Sequence, residues 1–346
     1  KQVREKCVPE VADKIHSVLT DVNQQVFQNL STYTSEKFPG VVLPYTTFSL
    51  FVNPENQQDA KKIIYEVTIN GFARPPQGHP IDPEIYSNRM FERIAEAKKS
   101  SVPTTIVFIN IGQVSGEGGK TTKQFNKAAK KEGFGPEIDI VTSLIASKLP
   151  QDKNEREKTT LAIYGKSMGA IKALETAFRF DQPDIKKEVF LENPPRIPAL
   201  PKGYHPSSLH IMLGYGIEGL LKKEAKAITQ EIIDPGYAQE LKLAFEANGI
   251  DTHDTFQQKI LKEQIVFRNV LNIMKNKLHK KKDFPFPVKV SSAGFDPINI
   301  SRRGAIHALF EKPEDVGNVH VDFVRSTHSL YRYPVEKWAE AIDPKI

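Results

Sequence analysis

Apolar and polar positions along this chain follow two rhythms, and the changes between them mark its elements. From Val8 to Asn29 the residues Val11, Ile15, Val18, Leu19, Val22 and Val26 recur at helical spacing, which predicts an amphipathic helix packed on the body. Phe48–Val52 and Ile63–Ile69 read as strands. Pro75–Pro80 reads as a loop, and Ile85–Lys99 as a helix. The strongest strand signal in the chain is Thr104–Ile111. After it the rhythm alternates: a helix around Thr121–Lys131, a strand at Ile138–Val141, a helix at Thr142–Lys148, then strand Leu161–Tyr164, helix Ala170–Phe178 and strand Val189–Leu191. Such βαβ alternation predicts an α/β fold with a mostly parallel central sheet covered by helices on both faces. Later strands are expected at Phe286–Gly294 and Val319–Val324.

Between Asn193 and Phe284 the alternation stops. A proline-rich opening, Pro194–Pro201, is followed by helical patterns over Leu209–Leu221, Ile228–Ile233, Tyr237–Glu246 and Phe256–Lys277. This stretch reads as an insertion into the sheet-forming part.

Length and composition suit such a fold. A chain of 346 residues with 39% hydrophobic residues can bury a large core. No apolar run approaches the ~20 residues of a membrane helix. The formal charge of +6 is mild for this length, so nucleic acid is not an expected partner. Basic residues cluster at Lys127, Lys130 and Lys131 and at His279–Lys282. These read first as solvated surface and second as a peripheral contact with an anionic membrane or an acyl carrier. Cys7 is the single cysteine, which rules out an intrachain disulfide. The chain starts at Lys1, and no signal peptide is visible. The expectation is a soluble protein, cytoplasmic or secreted after N-terminal processing.

The candidate chemistry centres on Gly165-Lys166-Ser167-Met168-Gly169, set directly between a strand pattern and a helix pattern. A serine at that corner is thrust out of the sheet edge in a strained turn, and flanking glycines remove Cβ atoms that would clash there. The amides opening the helix then face any charge that develops beside the Ser167 hydroxyl. A serine that merely caps the helix is the plain alternative. A rival motif is Gly118-Gly119-Lys120-Thr121, which looks like the end of a phosphate-binding loop. Val114 stands where that loop needs its first glycine, and Glu117 would repel phosphate within the cradle.

Here the chain resembles the α/β-hydrolase family. Asp296 follows the strand pattern ending at Gly294, and His328 follows the one ending at Val324. The order Ser167, Asp296, His328 is the family's order for its catalytic triad. The resemblance implies that Ser167 attacks a carbonyl, that His328 moves the proton, and that Asp296 fixes the histidine. Asp322, inside a strand pattern, is a weaker candidate for the acid. The resemblance also implies an oxyanion hole formed by the Met168 amide and by one from the loop after an earlier strand. Gly112 and Gln113, after Thr104–Ile111, are the expected source. Where the family commonly has His-Gly, this chain has Ile111-Gly112. The expected organisation is residues 1–100 as N-terminal helix and edge strands, 101–193 and 285–346 as core, and 194–284 as a helical cap. The implied activity is a cofactor-independent serine hydrolase of the carboxylesterase, lipase or thioesterase type, acting on a small-molecule or lipid ester or thioester. Two alternatives are a catalytically silent binding protein on the same scaffold and a nucleotide-binding protein built on Lys120.

Overall fold

A computed structural model describes residues 9–52, 62–69, 83–100, 102–114, 118–194, 284–293, 318–324 and 341. In chain order the elements are α1 (Pro9–Gln28), β1 (Ser31–Thr34), β2 (Val42–Val52), β3 (Lys62–Ile69), α2 (Pro83–Ser100), β4 (Thr104–Ile111) and α3 (Lys123–Glu132). They continue with α4 (Gly135–Lys148), α5 (Lys153–Glu157), β5 (Thr159–Lys166), α6 (Met168–Arg179), β6 (Lys186–Glu192), β7 (Val288–Ala293) and β8 (Val319–Val324). The strands form one eight-stranded sheet in the order β1-β2-β4-β3-β5-β6-β7-β8. β2 runs antiparallel to β1 and β4, and all other neighbours are parallel.

The apolar residues of the central strands face both ways, and each face has its own core. One face carries Val67, Ile109, Ile163, Leu191 and Val290, packed with Ile138, Leu144, Ile171 and Leu174 of α4 and α6. The other carries Phe48, Ile64, Ile106 and Phe108, packed with Ile15, Leu19, Val22 and Val26 of α1 and Met90 and Phe91 of α2. Fully burying one such side chain stabilises the fold by roughly 1.5–3 kcal/mol. The helical stripe read in α1 is therefore core, as expected. Phe48 and Phe108 stack across strands with centroids 4.5 Å apart.

Two sequence expectations are corrected. β3 is not an edge strand beside Phe48–Val52; it lies between β4 and β5, parallel to both. Ile64 and Val67 point to opposite faces of the sheet and both are buried, which is the signature of a central strand. Periodicity identified the strand without revealing its neighbours. The sheet-forming core consequently reaches back to Ser31 rather than starting after residue 100. Ile138–Val141 is not a strand but lies within α4. A four-residue apolar run cannot separate strand from buried helix. Here Pro136 in the first turn and burial of Ile138, Ile140, Val141, Leu144 and Ile145 fit a helix enclosed on most sides.

Candidate functional site

β5 delivers its last residue, Lys166, to the carboxyl edge of the sheet, and α6 begins at Met168. Ser167 alone joins them, with φ 53 and ψ −124. A non-glycine residue in that region carries strain of order 1–3 kcal/mol. The turn is fixed from two sides. The Ser167 amide donates to the Glu192 carbonyl of β6 at 2.8 Å, and the Ser167 carbonyl accepts from the Ala170 amide at 2.9 Å. From Leu161 to Ala177 every residue is buried except Ser167, which is partly exposed. Ser167 makes no side-chain capping bond to the helix, so the plain N-cap reading fails. Gly165 is needed for the close approach of strand and helix. A Cβ there would lie 2.2 Å from the Gly169 carbonyl oxygen and 2.7 Å from Ala173 Cβ. α6 has no acidic residue in its first turn, so its N-terminal dipole faces the serine uncancelled from within the helix.

Met168, the candidate oxyanion donor, opens α6 and is buried. Gly112 is corrected as a donor. Its amide is already bonded to the Pro44 carbonyl at 2.9 Å, continuing the β2–β4 ladder. Gly112 and Gln113 also follow β4, which is separated from β5 by β3. The position of a loop in the sheet cannot be read when strand order is unknown. Asp296, His328 and nearly all of the 194–284 segment lie outside the described residues. Asp322, the weaker acid candidate, sits on β8 opposite Ser291 and pairs with His320 Nε2 at 3.1 Å.

The rival phosphate-loop motif has a structural use. Lys120 and Val42 exchange backbone bonds of 3.0 and 2.9 Å, so the Lys120 amide does not line a cradle. Thr122 caps α3 by accepting from the Phe125 amide. A Cβ on Gly119 would lie 2.3 Å from the Gln113 carbonyl oxygen, which explains that glycine by close backbone approach.

A polar layer that sequence reasoning missed lies between α2 and the sheet. Glu66 on β3, fully buried, accepts from Arg89 Nε at 2.6 Å and Arg93 Nε at 2.7 Å. Burial alone would raise the Glu66 pKa, but the two guanidinium groups outweigh it and hold it below the ordinary value. The Arg89 guanidinium lies 5.2 Å from the Tyr164 ring centre and 4.7 Å from that of Phe190. The Tyr164 hydroxyl donates to Glu192, whose carboxylate also meets Lys166 Nζ at 3.2 Å. Burial raises the Glu192 pKa, and Lys166 and Tyr164 offset this only in part. The available signals were a glutamate interrupting the apolar run Ile63–Ile69 and arginines four residues apart on α2.

An antiparallel β2, the order β1-β2-β4-β3-β5-β6-β7-β8 and a strained serine between β5 and α6 together define the α/β-hydrolase fold. No protein-family model matches the chain, and no curated protein matches it in sequence. Solved structures are similar in shape. One is the peroxisomal alpha-beta-hydrolase Lpx1 of Saccharomyces cerevisiae, at 12% identity over 91% of this chain and 85% of that one, with a TM-score of 0.48. Another is a monoacylglycerol lipase of Paleococcus ferrophilus, at 14% identity over 85% and 99% of the two chains, with a TM-score of 0.41. A third is a thioesterase domain from the curacin biosynthetic pathway, at 13% identity over 90% and 98%, with a TM-score of 0.40. No helix among the described residues is long and apolar enough to cross a membrane.

Proposed function

We propose that this protein is a serine hydrolase that cleaves an ester or thioester through an acyl-enzyme. The observation that carries the reading is Ser167 itself: a lone partly exposed residue in a buried run, held at φ 53 over the start of a helix. Backbone strain of this kind is kept where the surroundings enforce it, and it presents the hydroxyl clear of the sheet.

In this reading Ser167 Oγ adds to the substrate carbonyl as His328 takes its proton, with Asp296 holding the imidazolium. The carbonyl oxygen becomes an oxyanion facing the Met168 amide and the positive end of α6. The second donor is expected from the chain that leaves β3 rather than β4. Ile69 is the register partner of Gly165, so that exit lies roughly 5 Å from β5, whereas β4 lies roughly 10 Å away. Collapse of the tetrahedral adduct breaks the carbonyl-to-leaving-group bond. His328 gives the proton to the departing alcohol or thiol, and water then attacks the acyl-enzyme by the same route. Segment 194–284, nearly all of it outside the described residues, is read from its sequence alone as a helical cap, and its apolar residues tilt the reading toward a moderately hydrophobic acyl chain.

The test is covalent labelling by a fluorophosphonate probe. Wild type is expected to label, and folded Ser167→Ala and His328→Ala are expected not to. Folded wild type that stays unlabelled refutes the hydrolase reading.

A further inference from the structure

Two positive-φ residues stand side by side at the carboxyl edge of the sheet, Ser167 after β5 and Asn193 (φ 44) after β6. The residues just before them, Lys166 and Glu192, are register partners. The peptide unit joining Glu192 to Asn193 holds both turns. The Glu192 carbonyl accepts the Ser167 amide, and the Asn193 amide donates to the Ser291 carbonyl of β7 at 2.8 Å. The Glu192 side chain reaches Lys166 at 3.2 Å, with both side chains only 8% exposed, and accepts the Tyr164 hydroxyl. Tyr164 lies against Arg89, whose charge is tied to Glu66 on β3 and to Glu92 on its own helix.

A buried ion pair contributes little net stability, because desolvation consumes most of the Coulomb gain. Its effect is on geometry. Removing one charge takes from the other its opposite charge in a low-dielectric site, and the side chain and its strand end shift to recover polar contacts. At Lys166 no residue intervenes before Ser167, so any shift of the strand end is passed directly to the nucleophile.

We infer that Glu192 is a positioning residue for Ser167, acting through its buried pair with Lys166 to set the nucleophile turn. The inference rests on the hydrolase reading for what Ser167 does, but not for how it is held.

The test compares wild type, Glu192→Gln, Lys166→Met and the double variant. Two reactions are followed on folded protein, well below each unfolding midpoint. The first is fluorophosphonate labelling, resolved into maximal rate and half-saturating probe concentration. The second is iodoacetamide alkylation of a thiol introduced by Ser167→Cys in a Cys7→Ser background, where no other thiol exists. Each single change is expected to lower the maximal rates about tenfold with half-saturation unchanged, since a displaced nucleophile loses rate rather than binding. The double change removes both charges and is expected to restore rates to within about threefold of wild type. Should Glu192→Gln not fold, Glu192→Asp keeps the charge on a shorter arm and is expected to give a smaller loss with the same unchanged half-saturation. Single variants reacting at wild-type rates, or losses that multiply in the double variant, overturn the inference. Folded wild type that ignores the fluorophosphonate, while the introduced thiol shows loss and rescue, refutes the hydrolase reading and leaves the positioning role standing.

Discussion

Replacing Gly165 with alanine probes how tightly β5 and α6 are pressed together at the serine turn. The added methyl would lie 2.2 Å from the Gly169 carbonyl oxygen, 2.5 Å from its carbonyl carbon and 2.7 Å from Ala173 Cβ. Two of these three atoms are backbone, so no rotamer change relieves the clash. The start of α6 must retreat by about 1 Å to regain contact distance. Overpacking of this kind costs about 1–3 kcal/mol. At roughly 2 °C per kcal/mol for a chain of this size, the unfolding midpoint is expected to fall by about 2–6 °C. The effect on reactivity should be far larger. The displaced helix carries the Met168 amide away from the serine, and a 1 Å misplacement costs about 10²-fold in rate. The assay pairs thermal unfolding with the maximal rate of fluorophosphonate labelling. Gly133→Ala is the control: Gly133 ends α3 at φ 67, so alanine is strained there but far along the chain from Ser167. It should lower the midpoint and leave labelling intact. Gly165→Ala that unfolds and labels like wild type would refute the packing argument for the turn.

Further predictions follow from the strain and charge of the same region. Ser167→Gly removes the positive-φ strain, of order 1–3 kcal/mol, against a glycine entropy cost of about 0.5–1 kcal/mol. The net gain of about 0–2.5 kcal/mol should leave the thermal midpoint level or raise it by up to about 5 °C, with labelling abolished; a clear drop would mean that the turn is unstrained. Glu66→Ala leaves Arg89 and Arg93 without their shared buried carboxylate and is expected to cost about 3–5 kcal/mol in chemical denaturation. The pH dependences of the two buried glutamates run in opposite directions. Glu66 has a lowered folded pKa, so its contribution is complete above the ordinary carboxylate range and is lost as pH falls through the folded value. Glu192 has a raised folded pKa, so its contribution is complete below the ordinary carboxylate range and is lost as pH rises through the folded value. Denaturation of Glu66→Gln and Glu192→Gln across pH should each flatten the corresponding limb, and matching profiles for both would contradict this assignment.

The parts whose signal is local are legible in the pattern of residues. The stripe of α1, the strands β4, β5, β6 and β8, and the strand–serine–helix corner all follow from side-chain periodicity and glycine placement within a few residues. Strand order is not local. That β3 enters the centre of the sheet, and that β5 therefore sits beside β3 rather than β4, depends on pairings across dozens of residues, which periodicity does not encode. The error over Gly112 came from that gap: its amide belongs to the β2–β4 ladder, and only the fold brings Pro44 to it. The buried layer of Glu66, Arg89, Tyr164, Glu192 and Lys166 was hidden for the same reason. Each residue reads alone as an ordinary polar interruption, and its partners come from β3, α2, β5 and β6, brought together only when the sheet assembles. Local pattern puts the serine at its corner; what holds it there are groups far apart in the chain that meet only in the assembled sheet.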